Sequence, residues 1–225
     1  MIDGIAVQAQ GLQNGPAVLL VHGFPDTSEL WRHQVPALLD AGHRVITMDL
    51  RGFGASDKPA AVHEYAPACV LSDLEAVLDG LGADRAHVVG HDWGAVIAWI
   101  FASANPGRVA SLACLSTGHP ACYRRAGREQ REKGWCTLMF QFDVAEEWLV
   151  QDSAAQVCEL LSGHPDVEKA VARLRQPGAM TGALGLYRAW APSASLVGRR
   201  PAAAPVRAPA MGCGAARTAS SPSGR

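Results

Sequence analysis

The chain has 225 residues, 48% hydrophobic and 18% charged, a composition that supports a buried core and excludes a disordered or fibrous class. A formal net charge of −1 gives no electrostatic basis for binding nucleic acid or an anionic membrane, so a small molecule is the expected partner. Six cysteines lie scattered without a C-x-x-C pair, which predicts reduced thiols, no metal and no cofactor; an acid in M-I-D-G-I-A-V-Q-A and the lack of any long apolar run predict a cytoplasmic protein.

In chain order, Ile5–Gln8 is a weak strand candidate and Ala17–Val21 a stronger one, running into His22-Gly23-Phe24-Pro25. Its unbroken apolar run suits a strand covered on both faces, as in a parallel sheet. Asp26, Thr27 or Ser28 can cap a helix whose stripe is Trp31, Val35, Leu38 and Leu39, stopped by Gly42. Arg44–Met48 is the next strand, followed by the polar, glycine-punctuated loop Asp49–Asp57. Helical spacing at Val70, Leu74, Val77, Leu78 and Leu81 predicts a helix over Ala66–Leu81. Ala86–Val89 then reads as a strand, Gly90–Gly94 as a tight turn, Ala95–Ala104 as a helix and Val109–Leu115 as a strand. This alternation predicts an α/β fold with a mostly parallel, doubly wound sheet, and it brings His22, Asp49, Asp92 and Ser116 to the strand ends where ligands bind.

Asp92 sits at the turning point of A-H-V-V-G-H-D-W-G-A-V-I-A-W, with glycine two residues before and two after. A strand-turn-helix elbow needs that spacing, because a Cβ there would collide where the chain reverses. Taken alone, Gly-x-Asp-x-Gly reads equally as an acidic helix cap. From Gly118 to Trp190 only helical pieces follow: Arg124–Phe142, Val144–Leu161, Asp166–Leu174 and Gly182–Trp190. The expected division is a core over 1–117, an inserted helical cap over 118–190, and over 191–225 a returning strand (Val206–Met211) with an unstructured tail.

The stretches HGFPDTSELWRHQVPAL, DLRGFGASDKP and VVGHDWGAVIAW together resemble the α/β-hydrolase superfamily, in its epoxide hydrolase and haloalkane dehalogenase branch, and are most like soluble epoxide hydrolases. E-Q-R-E-K-G-W-C-T-L-M-F-Q-F and G-A-L-G-L-Y-R resemble the cap helices of epoxide hydrolases. The resemblance implies Asp92 as nucleophile, forming a covalent ester with a small apolar epoxide that water converts to a vicinal diol. It implies the backbone N–H groups of Phe24 and Trp93 as oxyanion donors, Tyr187 as the cap's proton donor, and Phe24, Pro25, Trp93 and Trp135 as substrate contacts. Cys136 stands where a second cap tyrosine is expected, and a thiol is the weaker donor.

Plainer readings stand beside these. His22-Gly23-Phe24-Pro25 reads also as a strand-ending turn, Tyr187 as structural, His91 as a packed histidine, and Arg51 and Asp57 as ties within their loop. Dehalogenation is the alternative reaction, although the Phe24 side chain has nothing to donate to a halide and Trp93 is unlike the Arg that fluoroacetate-type enzymes carry.

No histidine follows His164 and no Asp or Glu follows Glu168, whereas the resemblance implies a late catalytic histidine and a late acid. Two classes follow: an epoxide hydrolase truncated or frameshifted near its C-terminal end, or a catalytically dead hydrolase-fold protein that binds a small apolar ligand. His119 is the one stand-in base the sequence offers. Cys213–Arg225 reads as out of frame, because one base restored before the Cys213 codon permits Val-Trp-Gly-Ser-Glu-Asp, with an acid to orient a histidine. The nucleotides encoding Gly212 to Thr218 decide this. A sheet without further strands has an open edge, which favours self-association.

Overall fold

The apolar runs assemble into one sheet in a computed structural model that describes residues 1–123, 127–128, 132, 134–191 and 205–214. Its strands are β1 (Val7–Gln10), β2 (Ala17–Val21), β3 (Arg44–Met48), β4 (Ala86–His91), β5 (Val109–Leu115) and β6 (Ala210–Cys213). They lie in the order β1-β3-β2-β4-β5-β6, with β1 antiparallel to β3 and every other pair parallel. Between strands come a 3₁₀ turn (Ser28–His33) leading into α1 (Gln34–Asp40), a second 3₁₀ turn (Val62–Tyr65) leading into α2 (Pro67–Gly80), and α3 (Trp93–Ala104). A helical insert separates β5 from β6: α4 (Pro120–Tyr123), α5 (Trp135–Met139), α6 (Ala145–Leu160), α7 (Val167–Leu174) and α8 (Ala179–Trp190).

All five residues of β2 are buried, as its unbroken apolar run demands of a strand covered twice. The strand period of two splits them between faces. Val18 and Leu20 pack with Trp31 and Val45 beneath α1, while Leu19 and Val21 join Ile46, Met48, Leu74, Ile97 and Phe101 on the side of α2 and α3. Each such side chain, fully buried, contributes roughly 1.5–3 kcal/mol.

Four expectations shift. β1 spans Val7–Gln10 rather than Ile5–Gln8: pairing with Val45–Met48 selects it, while Ile2 and Ile5 close a tight turn through Asp3 and Gly4. β6 spans Ala210–Cys213 rather than Val206–Met211, because Pro205 and Pro209 have no N–H to give a ladder; Cys213 is paired with Leu115 within it. The helix after β2 begins as a 3₁₀ turn capped by Thr27, whose Oγ1 accepts from the Glu29 N–H at 3.4 Å. Of the helix expected over Arg124–Phe142, residues 127–128 and 132 are helical, α5 follows, and the chain turns at Phe140–Phe142; 124–126, 129–131 and 133, like the tail after Gly214, lie outside the described residues. Among the described residues no helix is long and apolar enough to cross a membrane.

Candidate active site

Asp92 stands alone between β4 and α3 with φ 53° and ψ −119°, a left-handed backbone that an aspartate adopts only under strain. The flanking glycines have a steric cause. A Cβ on Gly90 would overlap the Gly94 carbonyl, and one on Gly94 would overlap the Val21 and His22 carbonyls at the end of β2. This close approach carries β2's continuation under the elbow, so that the Phe24 N–H donates to Asp92 Oδ1 at 2.9 Å. The Trp93 N–H, first in α3, is near enough to the same carboxylate to favour its charged form. Burial raises the Asp92 carboxyl above its ordinary range, and the two N–H groups with the neighbouring His91 pull against that rise.

Around Phe24 and Trp93, the residues flanking the carboxylate, an aromatic roof is built. The Tyr187 ring of α8 meets Trp93 edge-on with centroids 4.9 Å apart and Phe24 at 5.6 Å, and Phe140 packs on Tyr187 at 4.7 Å and on Phe24 at 5.8 Å. The structure thus brings Asp92, Phe24, Trp93 and Tyr187 together and adds Phe140, fully buried, which only the resemblance of M-F-Q-F to a cap helix could have flagged. Cys136 is partly buried beside this group. Burial raises its thiol, and the nearby Asp92 carboxylate adds to the rise, so it stays protonated at neutral pH. Pro25 lines a cavity of about 50 Å³ between the Phe24–Thr27 turn and α7. Trp135 is 54% exposed; α5 buries none of its residues, and the ring contacts that join the other aromatics do not include Trp135.

Two devices hold α8 in place. Gly182 and Gly185 let its backbone close on Gly52 and on the Tyr65 ring. Tyr65 donates from its hydroxyl to the Pro59 carbonyl at 2.8 Å, its carbonyl accepts from Trp190 Nε1 at 2.8 Å, and burial pushes its phenol up to about 12. On the other side Arg188 donates to Glu146 Oε1 at 2.6 Å and to the Phe140 and Phe142 carbonyls at 3.0 Å, which fixes the turn that presents Phe140.

The remaining strand-end residues serve structure. His22 donates from Nδ1 to the Gly23 carbonyl and accepts the Leu50 N–H at Nε2, each at 2.9 Å, a pattern that requires the neutral ring. Asp49 accepts from the Ser28 and Ala55 N–H groups, and Ser116 is exposed, its N–H bonded to Cys213. His119 packs on Trp99 with its Nδ1 taken by the Ala121 N–H, and His164 faces Asp26 at 3.2 Å, so neither histidine is directed at Asp92. Arg51 ties its loop to Asp73 and Glu64, as expected.

Burial lowers the His22 pKa, so the folded chain resists a proton that the unfolded chain accepts near 6.5. Stability from this ring is therefore full above about pH 6.5 and falls as pH drops below it. Imidazole NMR is expected to show one histidine held as the neutral Nδ1–H tautomer at neutral pH, protonating at lower pH than a free ring and lost in His22→Asn; titration of that ring near 6.5 would contradict the assignment.

A family model described as alpha/beta hydrolase fold matches residues 16–207. Epoxide hydrolase A of Mycobacterium tuberculosis is 38% identical over 184 residues, covering 77% of this chain and 56% of that protein. The AB hydrolase superfamily protein YfhM of Bacillus subtilis is 33% identical over 195 residues, covering 81% and 68%. A solved structure described as novel epoxide hydrolases from metagenomes of hot environments superposes with a TM-score of 0.80 at 27% identity, covering 92% of this chain and 76% of that one. The chain thus spans little more than half of Epoxide hydrolase A, and 29% of Epoxide hydrolase B of the same organism. With residues 16–207 matched to the family and the fold superposing on a solved member, the chain belongs to the α/β-hydrolase family and is similar to its epoxide hydrolases.

Proposed function

We propose that the Asp92 carboxylate opens a small apolar epoxide, forming a covalent ester. The observation that carries this reading is a carboxylate on a strained elbow, held by the Phe24 N–H at 2.9 Å, with the Tyr187 ring packed on the rings of Phe24 and Trp93. A carboxylate oxygen bonds to a ring carbon as that carbon's bond to the epoxide oxygen breaks. The departing oxygen takes a proton from Tyr187, with the protonated Cys136 thiol a weaker second donor. The Phe24 and Trp93 N–H groups then face the ester's carbonyl, where an oxyanion forms if water attacks it. Phe24, Phe140 and Trp93 favour an apolar substituent, and a Phe24 side chain without N–H or O–H weighs for an epoxide over a haloalkane. The similarity to epoxide hydrolases supports the same choice.

Release of a diol needs a base to activate water. Among the described residues His22 is committed at both nitrogens, His119 and His164 are engaged elsewhere, and His91, which precedes Asp92 at the end of β4, makes no hydrogen bond through its buried Nδ1. The ester is therefore expected to persist. Incubation with styrene oxide should add the mass of one epoxide to the chain and none to Asp92→Asn, read by intact-mass spectrometry. An equal adduct on Asp92→Asn sinks the assignment, steady multiple turnover sinks the persistence, and binding without any adduct favours a ligand-binding role instead.

A further inference from the structure

The helical insert meets the core through two contacts of opposite character. At α8 the contact is close and apolar: Gly182 and Gly185 seat against Gly52 and the fully buried Tyr65, with Trp190 bonded to the Tyr65 carbonyl. At α7 it is charged. Ala170, Val171 and Leu174 turn one face of α7 inward, and Lys169 and Arg173, four residues apart, share another that lies over the 3₁₀ turn Ser28–His33. Lys169 Nζ reaches Glu29 Oε1 at 2.9 Å, Arg173 reaches Glu29 Oε2 at 3.4 Å and Thr27 Oγ1 at 2.8 Å, and Arg32 reaches Asp166 at 2.7 Å. At the end of this row the His164 ring lies against Asp26, Nε2 to Oδ1 at 3.2 Å, with both side chains largely buried.

The two contacts differ in how readily they part. Apolar seats packed backbone to backbone lose dispersion and burial at the first opening. The Glu29 carboxylate is 44% exposed and Lys169 57%, and ion pairs that wet exchange readily for water. Between α7 and α8 the chain passes through Gly178 at φ 73°, a left-handed link. The small cavity lined by Pro25, Thr27, Gly54, Arg173 and Gln176 lies on the charged side, next to the residue whose N–H holds Asp92.

We propose that the insert opens on its α7 side about a fixed seat at α8, and that substrate is admitted through the gap this uncovers beside Pro25. The ion pairs made by Glu29 and Arg32 are the latch. Tyr187, carried by α8, keeps its place over Asp92 while the latch parts. Admission of substrate rests on the epoxide reading above; the division into seat and latch does not.

Hydrogen exchange tests the division without any chemistry. Glu29→Gln removes two of the ion pairs and should speed amide exchange in Val167–Leu174 by about three- to tenfold while leaving Ala179–Trp190 unchanged. Lys169→Met should do the same, and combining the two should add little to Glu29→Gln alone. In the unaltered chain, raising NaCl from about 0.05 to 0.5 M should accelerate the same segment, which keeps the test open if a variant fails to fold. Unchanged exchange at α7, or equal acceleration at α8, overturns the latch. The rate of styrene oxide adduct formation should rise in Glu29→Gln by a similar factor; faster exchange with an unchanged adduct rate overturns admission at this side. No adduct on either protein defeats the epoxide reading and leaves the latch to be judged by exchange alone.

Discussion

Gly94→Ala is expected to destabilise the fold severely. The added Cβ would meet the carbonyl oxygens of Val21 and His22, backbone atoms of the central strand's end that cannot turn aside as a side chain could. Relief requires α3 to lift from β2, which separates the Trp93 N–H from the Phe24 N–H and undoes the carboxylate's two-donor seat. Overpacking of this kind costs about 3 kcal/mol or more, a large part of the roughly 5–15 kcal/mol that hold a domain. Gly107→Ala is the control, because nothing lies within 4 Å of its Cβ. Thermal melts decide: Gly107→Ala should track the parent, and a Gly94→Ala melt within about 2 °C of it would refute the steric account.

Arg51→Ala is expected to cost about 3–5 kcal/mol, the usual result of removing one partner from a buried ion pair. Arg51 grips both oxygens of Asp73, at 2.6 and 2.5 Å, and donates to the Glu64 carbonyl at 2.6 Å. It therefore clamps the loop after β3 to α2 and to the residue before Tyr65, on which α8 is seated. Asp73 is 4% exposed, and its carboxyl is raised above the ordinary range by burial, with Arg51 the chief influence opposing the rise. Without Arg51 the carboxyl rises further. The sign follows: a folded-state pKa above the unfolded value favours the fold as pH falls, so the variant's deficit should shrink from pH 7.5 toward 5. Asp73→Asn in the same chain should recover part of the loss at pH 7.5. Denaturant unfolding showing a pH-independent deficit with no recovery would mean that lost packing, not a stranded carboxylate, is the cause.

Both predictions depend on residues whose types were plain in the sequence and whose contacts were not. The sequence by itself determined what is local. An unbroken A-V-L-L-V suited a strand covered on both faces, alternation of strand and helix pointed to a parallel sheet, and glycines two residues either side of Asp92, between a strand and a helix, suited an elbow. Strand period, helix period and steric exclusion at a turn are set by near neighbours, so they can be read without the fold. Its errors were local too: apolar character at Ile5 and Val206 suggested strands that pairing partners and the prolines moved by a few residues. Tertiary structure decided which of the residues gathered at the sheet's edge are available for chemistry. His22 and Asp49 reach the same edge as Asp92, yet backbone groups of other segments occupy them, while Asp92 receives the N–H of Phe24 from 68 positions away. Phe140 enters the roof, Trp135 is left outside it, and Glu29 meets Lys169 across 140 positions for the same reason. Hydrogen bonds and ion pairs act over about 3 Å, and which atoms come that close is fixed only when the whole chain has packed.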